Sequence, residues 1–267
     1  MQPAGDHDVP GGPLAVRWLA YELPTIRAGA LATPRVAVEN AGTATWAPTG
    51  PRRVCLGYHW LDELGNPIVW DGLWTALPHE VRRGGRAEAD LTLRGPIPPG
   101  RYRLAIDLVA EDRYWFSEVG NVALERAVDV RPRIERRALA LHGAETEAAE
   151  VIAYLAPGVV PGPEWEQRVL DAHAEGYAVV GGSIDAGGGV LRRPPRALAP
   201  YAPGSGRIPG FAHPLLCPSV VRGVEPEWLD PVEGLPALEP PADEPWLYDG
   251  RIELRLRARP RSGRRHG

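Results

Sequence analysis

Apolar and polar positions alternate with a period of two through the front of this chain. Val54, Leu56, Tyr58 and Trp60 take every second place in one run, and Tyr102, Leu104, Ile106 and Leu108 do so in another. Successive side chains of a strand point to opposite faces, so each run has one side to bury and one to expose. Turn formers stand between such runs: Gly42 after Asn40, then Gly65-Asn66-Pro67, Gly84-Gly85 and Pro98-Pro99-Gly100. The pattern predicts strands over Leu14–Tyr21, Arg35–Asn40, Val54–Leu61, Ile68–Asp71, Arg86–Leu93, Arg101–Ala110 and Val122–Val130. Two antiparallel sheets packed as an immunoglobulin-like sandwich over residues 14–131 account for them. Residues 1–13, rich in Gly, Pro and Asp, read as a disordered arm.

The rhythm changes after Arg131-Pro132-Arg133. A short helix is expected over Ala138–Ala149, a strand over Glu150–Leu155, a helix over Pro163–Glu175 and a strand over Tyr177–Ser183, together a small α/β segment over 132–190. Pro163 and Glu164 suit the first turn of that second helix, and Gly176 suits its end. From Ala186 onward Gly187-Gly188-Gly189, Pro194-Pro195, Pro209-Gly210 and Pro240-Pro241 interrupt the chain too often for long elements. Residues 191–267 therefore read as a Pro/Gly-rich, mostly irregular tail. A terminal strand is expected near Arg251–Ala258, where Ile252, Leu254 and Leu256 share a face. The fold class is mixed: an all-β sandwich, a small α/β segment and a tail.

Specific residues also carry a resemblance. NAGTATW, YHW, a D-G turn, PPGRYRLAIDLVAE and WFSEVG, in that order, resemble the immunoglobulin-like module that accompanies glycosyltransferases and methyltransferases in bacterial surface-polysaccharide clusters. Through Trp46, Trp60, Trp70 and Trp115 the stretch is more distantly similar to the four-tryptophan domain of a selective-autophagy receptor. Further on, ALHGAETEAAEVIAYLAPGVVPGPEWEQRVLDAHAEGYAVVGGSI is similar to part of a family 2 glycosyltransferase of the GT-A type. In that family, carboxylates at a strand end hold a divalent cation against the nucleotide-sugar diphosphate. Here the position reads Leu155-Ala156-Pro157-Gly158, without acids. The resemblance thus implies a degenerate transferase fragment behind a sandwich that binds glycan or a partner transferase, with no catalytic or metal-ligating residues and no cofactor. Two alternatives stay open: a transferase completed by another chain, and a sandwich serving protein interaction alone.

Composition narrows the chemistry further. All 30 basic residues are Arg, which removes Schiff-base chemistry and a Walker-type phosphate loop. A net charge of −4 gives no chain-wide reason to bind nucleic acid, although Arg251, Arg255, Arg257, Arg259, Arg261, Arg264 and Arg265 make the last segment basic. Cys55 and Cys217 have no second Cys or His at metal-ligand spacing and read as buried thiols. No apolar stretch reaches the ~18–20 residues of a membrane span, and MQPAGDHDVPGG lacks the features of a signal peptide, so a cytoplasmic protein is expected.

The candidate binding residues are aromatic and acidic. His59, Trp70, Trp74, Tyr114 and Trp115 offer rings on which the C–H face of a sugar can stack, and Asp62, Asp71 and Glu111 offer acceptors for its hydroxyls. Alternation puts Tyr58 and Trp60 on one face of their strand and His59 on the other, so these rings cannot all serve one site. By the same phase Asp107 is expected to face solvent or an Arg partner. Ser183 lacks the G-x-S-x-G spacing of a nucleophile elbow, and Gly187-Gly188-Gly189 lacks the pattern of a dinucleotide loop.

Overall fold

The structure is a computed structural model, and it describes residues 1–111, 113–187, 195–204 and 206–257. Gly188, Gly189, Pro194, Asp112 and the arginines from Arg259 onward lie outside the described residues. The chain divides into two compact units, Met1–Pro132 and Arg133–Gly267.

In the first unit the strands are β1 (Gln2–Pro3), β2 (Val16–Glu22), β3 (Leu31–Ala32), β4 (Arg35–Asn40), β5 (Val54–Leu61), β6 (Pro67–Val69), β7 (Thr75–Ala76), β8 (Arg86–Asp90), β9 (Leu93–Arg94), β10 (Gly100–Ala110), β11 (Tyr114–Trp115) and β12 (Leu124–Val130). One antiparallel sheet has the order β1-β2-β4-β8. The other centres on the β5/β10 pair, with β12 and β11 along the far edge of β10 and β6 and β7 along the far edge of β5. Val16, Trp18, Val36 and Val38 of the first sheet meet Leu56, Tyr58, Trp60, Leu104, Ile106 and Leu108 of the second in one buried core. This is a two-sheet β-sandwich.

The polar tips of two core rings, Trp60 and Tyr58, are satisfied by one short strand, β9. The Trp60 indole donates to the Arg94 carbonyl at 2.9 Å, and the Tyr58 hydroxyl accepts from the Arg94 amide at 3.0 Å. Burying these two rings stabilises the sandwich without stranding their polar atoms, whereas the buried Trp46 indole has no hydrogen-bond partner among the described residues. The leading residues differ from the expected free arm. Gln2 and Pro3 pair with Tyr21 and Ala20, the Tyr21 hydroxyl donates to Gln2 at 2.9 Å, and Arg126 donates to the Ala4 carbonyl at 2.9 Å. The open edge of β2 supplies the hydrogen bonds that composition alone does not reveal.

The second unit holds β13 (Leu139–Leu141), β14 (Val151–Ala153), β15 (Val159–Pro161), helix α1 (Trp165–Glu175), β16 (Val179–Asp185), β17 (Arg207–Pro209), β18 (Leu215–Leu216), β19 (Ser219–Val221), β20 (Glu227–Val232), β21 (Leu235–Glu239) and β22 (Trp246–Leu256). Its main sheet runs β13-β14-β19-β16-β22-β15, with β17 also on β22, and a smaller sheet runs β18-β21-β20. Helix α1 buries Trp165, Val169, Leu170, Ala172 and His173 and packs on β16 and β22.

Two expectations are corrected here. Ala138–Ala149 is not a helix: Leu139–Leu141 pairs in parallel with Val151–Ala153, and turns follow. Its Ala and Glu favour a helix only weakly, and pairing with a neighbour overrides that preference. The region after Ala186 is not mostly irregular either. Its Pro and Gly residues separate short strands, and β22 is an internal strand, parallel to β16 on one side and antiparallel to β15 and β17 on the other.

Candidate functional site

The outer face of the β5/β10 sheet carries an aromatic cluster that the core does not absorb. Because β5 alternates, Tyr58 and Trp60 point inward while Cys55, Gly57 and His59 point to the other side. There His59 stacks on Trp70 with centroids 4.2 Å apart and planes inclined by 23°, and meets Trp115 edge-on at 4.3 Å. Trp74 lies edge-on to Trp115 at 6.2 Å. Trp115 reaches this face from β11, where it pairs with Val109, and its ring lies over Gly57. A Cβ on Gly57 would stand 2.6 Å from Trp115 Cη2 and 3.3 Å from Trp74 Cδ1, so only a glycine lets the two indoles settle onto the sheet.

The rings differ in access. Trp115 is buried at 7% exposure and His59 at 3%, whereas Trp70 is 49% and Trp74 36% exposed. Asp71 stands between the exposed pair and accepts from the Trp74 indole at 2.8 Å. His59 Nδ1 is hydrogen bonded to the Trp70 carbonyl, which ties the ring to the loop carrying Trp70. Nε2 of His59 is buried with no hydrogen-bond partner among the described residues.

Asp107 corrects another expectation. It faces away from the core, as its phase requires, yet it is fully buried, and the turn Phe116–Val119 packs on its strand with the Ser117 amide bonded to its carboxylate. Burial pushes its carboxyl above the usual range, against the pull of hydrogen bonds from the Ser117 amide at 3.0 Å and the Leu108 amide at 2.8 Å and of the nearby His59.

Five of the eight residues picked from the sequence come together: His59, Trp70, Asp71, Trp74 and Trp115. Three do not. Asp62 is spent inside its own hairpin, accepting from the Leu64 and Asn66 amides and the Asn66 side chain, and the Asn66 bonds hold its carboxyl below the usual range. Glu111 pairs with Arg53 at 2.6 Å. Tyr114 precedes Trp115 in β11 and so points to the opposite face, against the core. Gly57 escaped sequence reasoning; its place midway between inward Leu56 and Tyr58, on a face gathering large rings, was the available signal.

In the second unit Tyr154 follows β14, and Leu155-Ala156-Pro157-Gly158 comes next without a carboxylate. Among the described residues no group of three or more His, Cys, Asp or Glu side chains is gathered at metal-binding distance. No helix among them is long and apolar enough to cross a membrane.

Comparison with known proteins adds little to this geometry. No family model matches the chain, and no curated protein matches it. Among solved structures, the crystal structure of the C-terminal domain of Wzt aligns with 50% of this chain and 84% of its own, at 11% identity and a TM-score of 0.31. A likeness that slight carries no weight for fold or ligand.

Proposed function

We propose that the first unit is an immunoglobulin-like recognition module that binds glycan through the Trp70–Trp74 face, in the assembly of bacterial surface polysaccharide. One observation carries the reading: two half-exposed indoles and a carboxylate stand on a bed of buried rings, on the sheet face away from the core. Ordering an exposed Trp against a sugar is cheap when packing already restrains it, because little rotamer freedom remains to be lost. The sugar's C–H face would cover Trp70 or Trp74, and its hydroxyls would donate to the outer oxygen of Asp71. The link to polysaccharide assembly, and to a transferase partner, comes from the sequence resemblance alone. Titration calorimetry of the full chain against cell-surface oligosaccharides tests the reading. Binding that weakens at least tenfold in Trp70→Ala/Trp74→Ala supports it, and absence of heat with every oligosaccharide removes it.

A second reading has its own observation. Leu64, at 88% exposure, and Ile68 continue the apolar surface along the hairpin beside Trp70, which would suit a protein partner, including a transferase to which this chain is accessory. Capture of such a partner by the full chain, lost in Leu64→Asp/Ile68→Asp and unaffected by sugars, favours it. The transferase alternative predicts metal-dependent uptake of a nucleotide sugar, which the same calorimetry reads directly.

A further inference from the structure

The second unit has an exposed ring array of its own. His142 follows β13 and Tyr154 follows β14, and these strands run in parallel with Leu141 opposite Ala153. The next residue of each strand is therefore in register, and neighbouring strands lie about 4.8 Å apart. That spacing sets the rings face to face: their centroids are 4.6 Å apart and their planes 27° from parallel. Trp228 of β20 extends the row, 4.5 Å from Tyr154 and tilted by 57°. Three separate segments thus contribute one ring each.

The row is not core. Trp228 is 42% exposed, in a strand whose neighbours Glu227 and Asp230 are exposed charges, and His142 is exposed as well. A contact between two rings contributes about 1 kcal/mol, a small return for leaving an indole in water. A carboxylate stands at the end of the row. Glu145 accepts from His142 Nδ1 at 2.9 Å and from the Gly143 amide at 2.9 Å, and these bonds keep it ionised. Burial raises the Tyr154 phenol, and the Glu145 charge adds to that rise. The nearby Arg222 is committed to the carbonyls of Ala149 and Thr146. An anionic ligand would meet Glu145 with no guanidinium facing it among these contacts.

We propose that Trp228, Tyr154, His142 and Glu145 form a second carbohydrate subsite, on the second unit, that takes a neutral pyranose ring. The ring stacks on Trp228 and Tyr154 and donates a hydroxyl to Glu145. The choice of ligand class rests on the glycan reading of the first unit; the array itself does not.

Calorimetry on the full chain separates the two. The probes are neutral hexose and N-acetylhexosamine oligosaccharides, with a uronic-acid oligosaccharide as the counter-probe. Trp70→Ala/Trp74→Ala, which disables the first face, is expected to retain binding of a neutral oligosaccharide. Adding Trp228→Ala abolishes that remainder, and Trp228→Tyr restores it. Glu145→Gln keeps the acceptor toward His142 but removes the charge, and weakens the remainder about tenfold with an unchanged melting temperature. Binding by the unaltered chain that vanishes entirely in Trp70→Ala/Trp74→Ala overturns the second subsite and leaves the first standing. Equal uptake of the uronic-acid probe overturns the neutral class. No binding of any probe by the unaltered chain removes both readings. Should Trp228→Ala unfold the unit, Trp228→Tyr and Glu145→Gln decide alone.

Discussion

Gly57 lies directly beneath the Trp115 ring, with space there for no more than a hydrogen. The pair joins fold to site, because the contact that seats Trp115 on the sheet also sets the level at which Trp74 stands. Gly57→Val would push Trp115 outward and disturb Trp74 with it. The expected loss is about 1–3 kcal/mol of first-unit stability, as for other overpacked sites, together with binding at the Trp70–Trp74 face. Urea unfolding and calorimetry on one preparation check both. A valine variant of unchanged stability would mean that Trp115 does not lie against this glycine.

Exposed and buried tryptophans should behave in opposite ways. Trp70→Ala and Trp74→Ala remove rings that are half-exposed at the sheet surface, so each should shift stability by about 1 kcal/mol, far less than a core tryptophan, while weakening glycan binding tenfold or more. Thermal melting beside titration shows whether the two effects separate.

Trp60 is the counter-case. It is fully buried between the sheets and donates to the Arg94 carbonyl, which Trp60→Ala would leave without that donor. A cost of about 3–5 kcal/mol is expected, enough to unfold the first unit at moderate urea. Loss of its unfolding transition while that of the second unit persists would be the signature.

His173 makes the second unit sensitive to acid. The ring is fully buried, its Nδ1 donating to the Tyr177 carbonyl at 2.8 Å and its Nε2 hydrogen bonded to the Ser219 hydroxyl at 2.9 Å, and burial lowers its pKa from 6.5 to about 4. Below pH 6.5 the unfolded chain takes up a proton that the folded unit refuses. Stability from this group is therefore complete above pH 6.5 and falls as the pH drops toward 4, by on the order of 3 kcal/mol. Urea midpoints of the second unit between pH 7 and 4 measure the slope, and His173→Gln should flatten it.

Much of the sandwich was legible because its signal is local. The alternation in Val54–Leu61 and Arg101–Ala110 placed two central strands within a residue and assigned Tyr58, Trp60 and His59 to the correct faces. What alternation cannot report is what later folds over a face. Alternation puts Asp107 on the right side of β10 and in the wrong environment, because the turn Phe116–Val119 packs on that strand and its Ser117 amide bonds the carboxylate. Tyr114 and Trp115 are adjacent in sequence, yet one serves the core and the other the site. The second unit was read less well for the same reason. Strands as short as Val159–Pro161 and Ser219–Val221 carry too few residues for a period, and their partners lie far away in the chain. His142 beside Tyr154 depends on two parallel strands no local pattern joins.

The central seat of Trp246–Leu256 also bears on how this protein is made. On the ribosome, Val159–Pro161, α1 and Val179–Asp185 emerge well before the strand that lies between β15 and β16 in the finished sheet. Until it arrives, Val179, Val180 and Ile184 have an unfilled neighbour, so the unit closes late and as a whole. A nonsense codon between Arg133 and Trp246 would release a polypeptide whose sandwich is complete and whose remainder is left to chaperones and proteases.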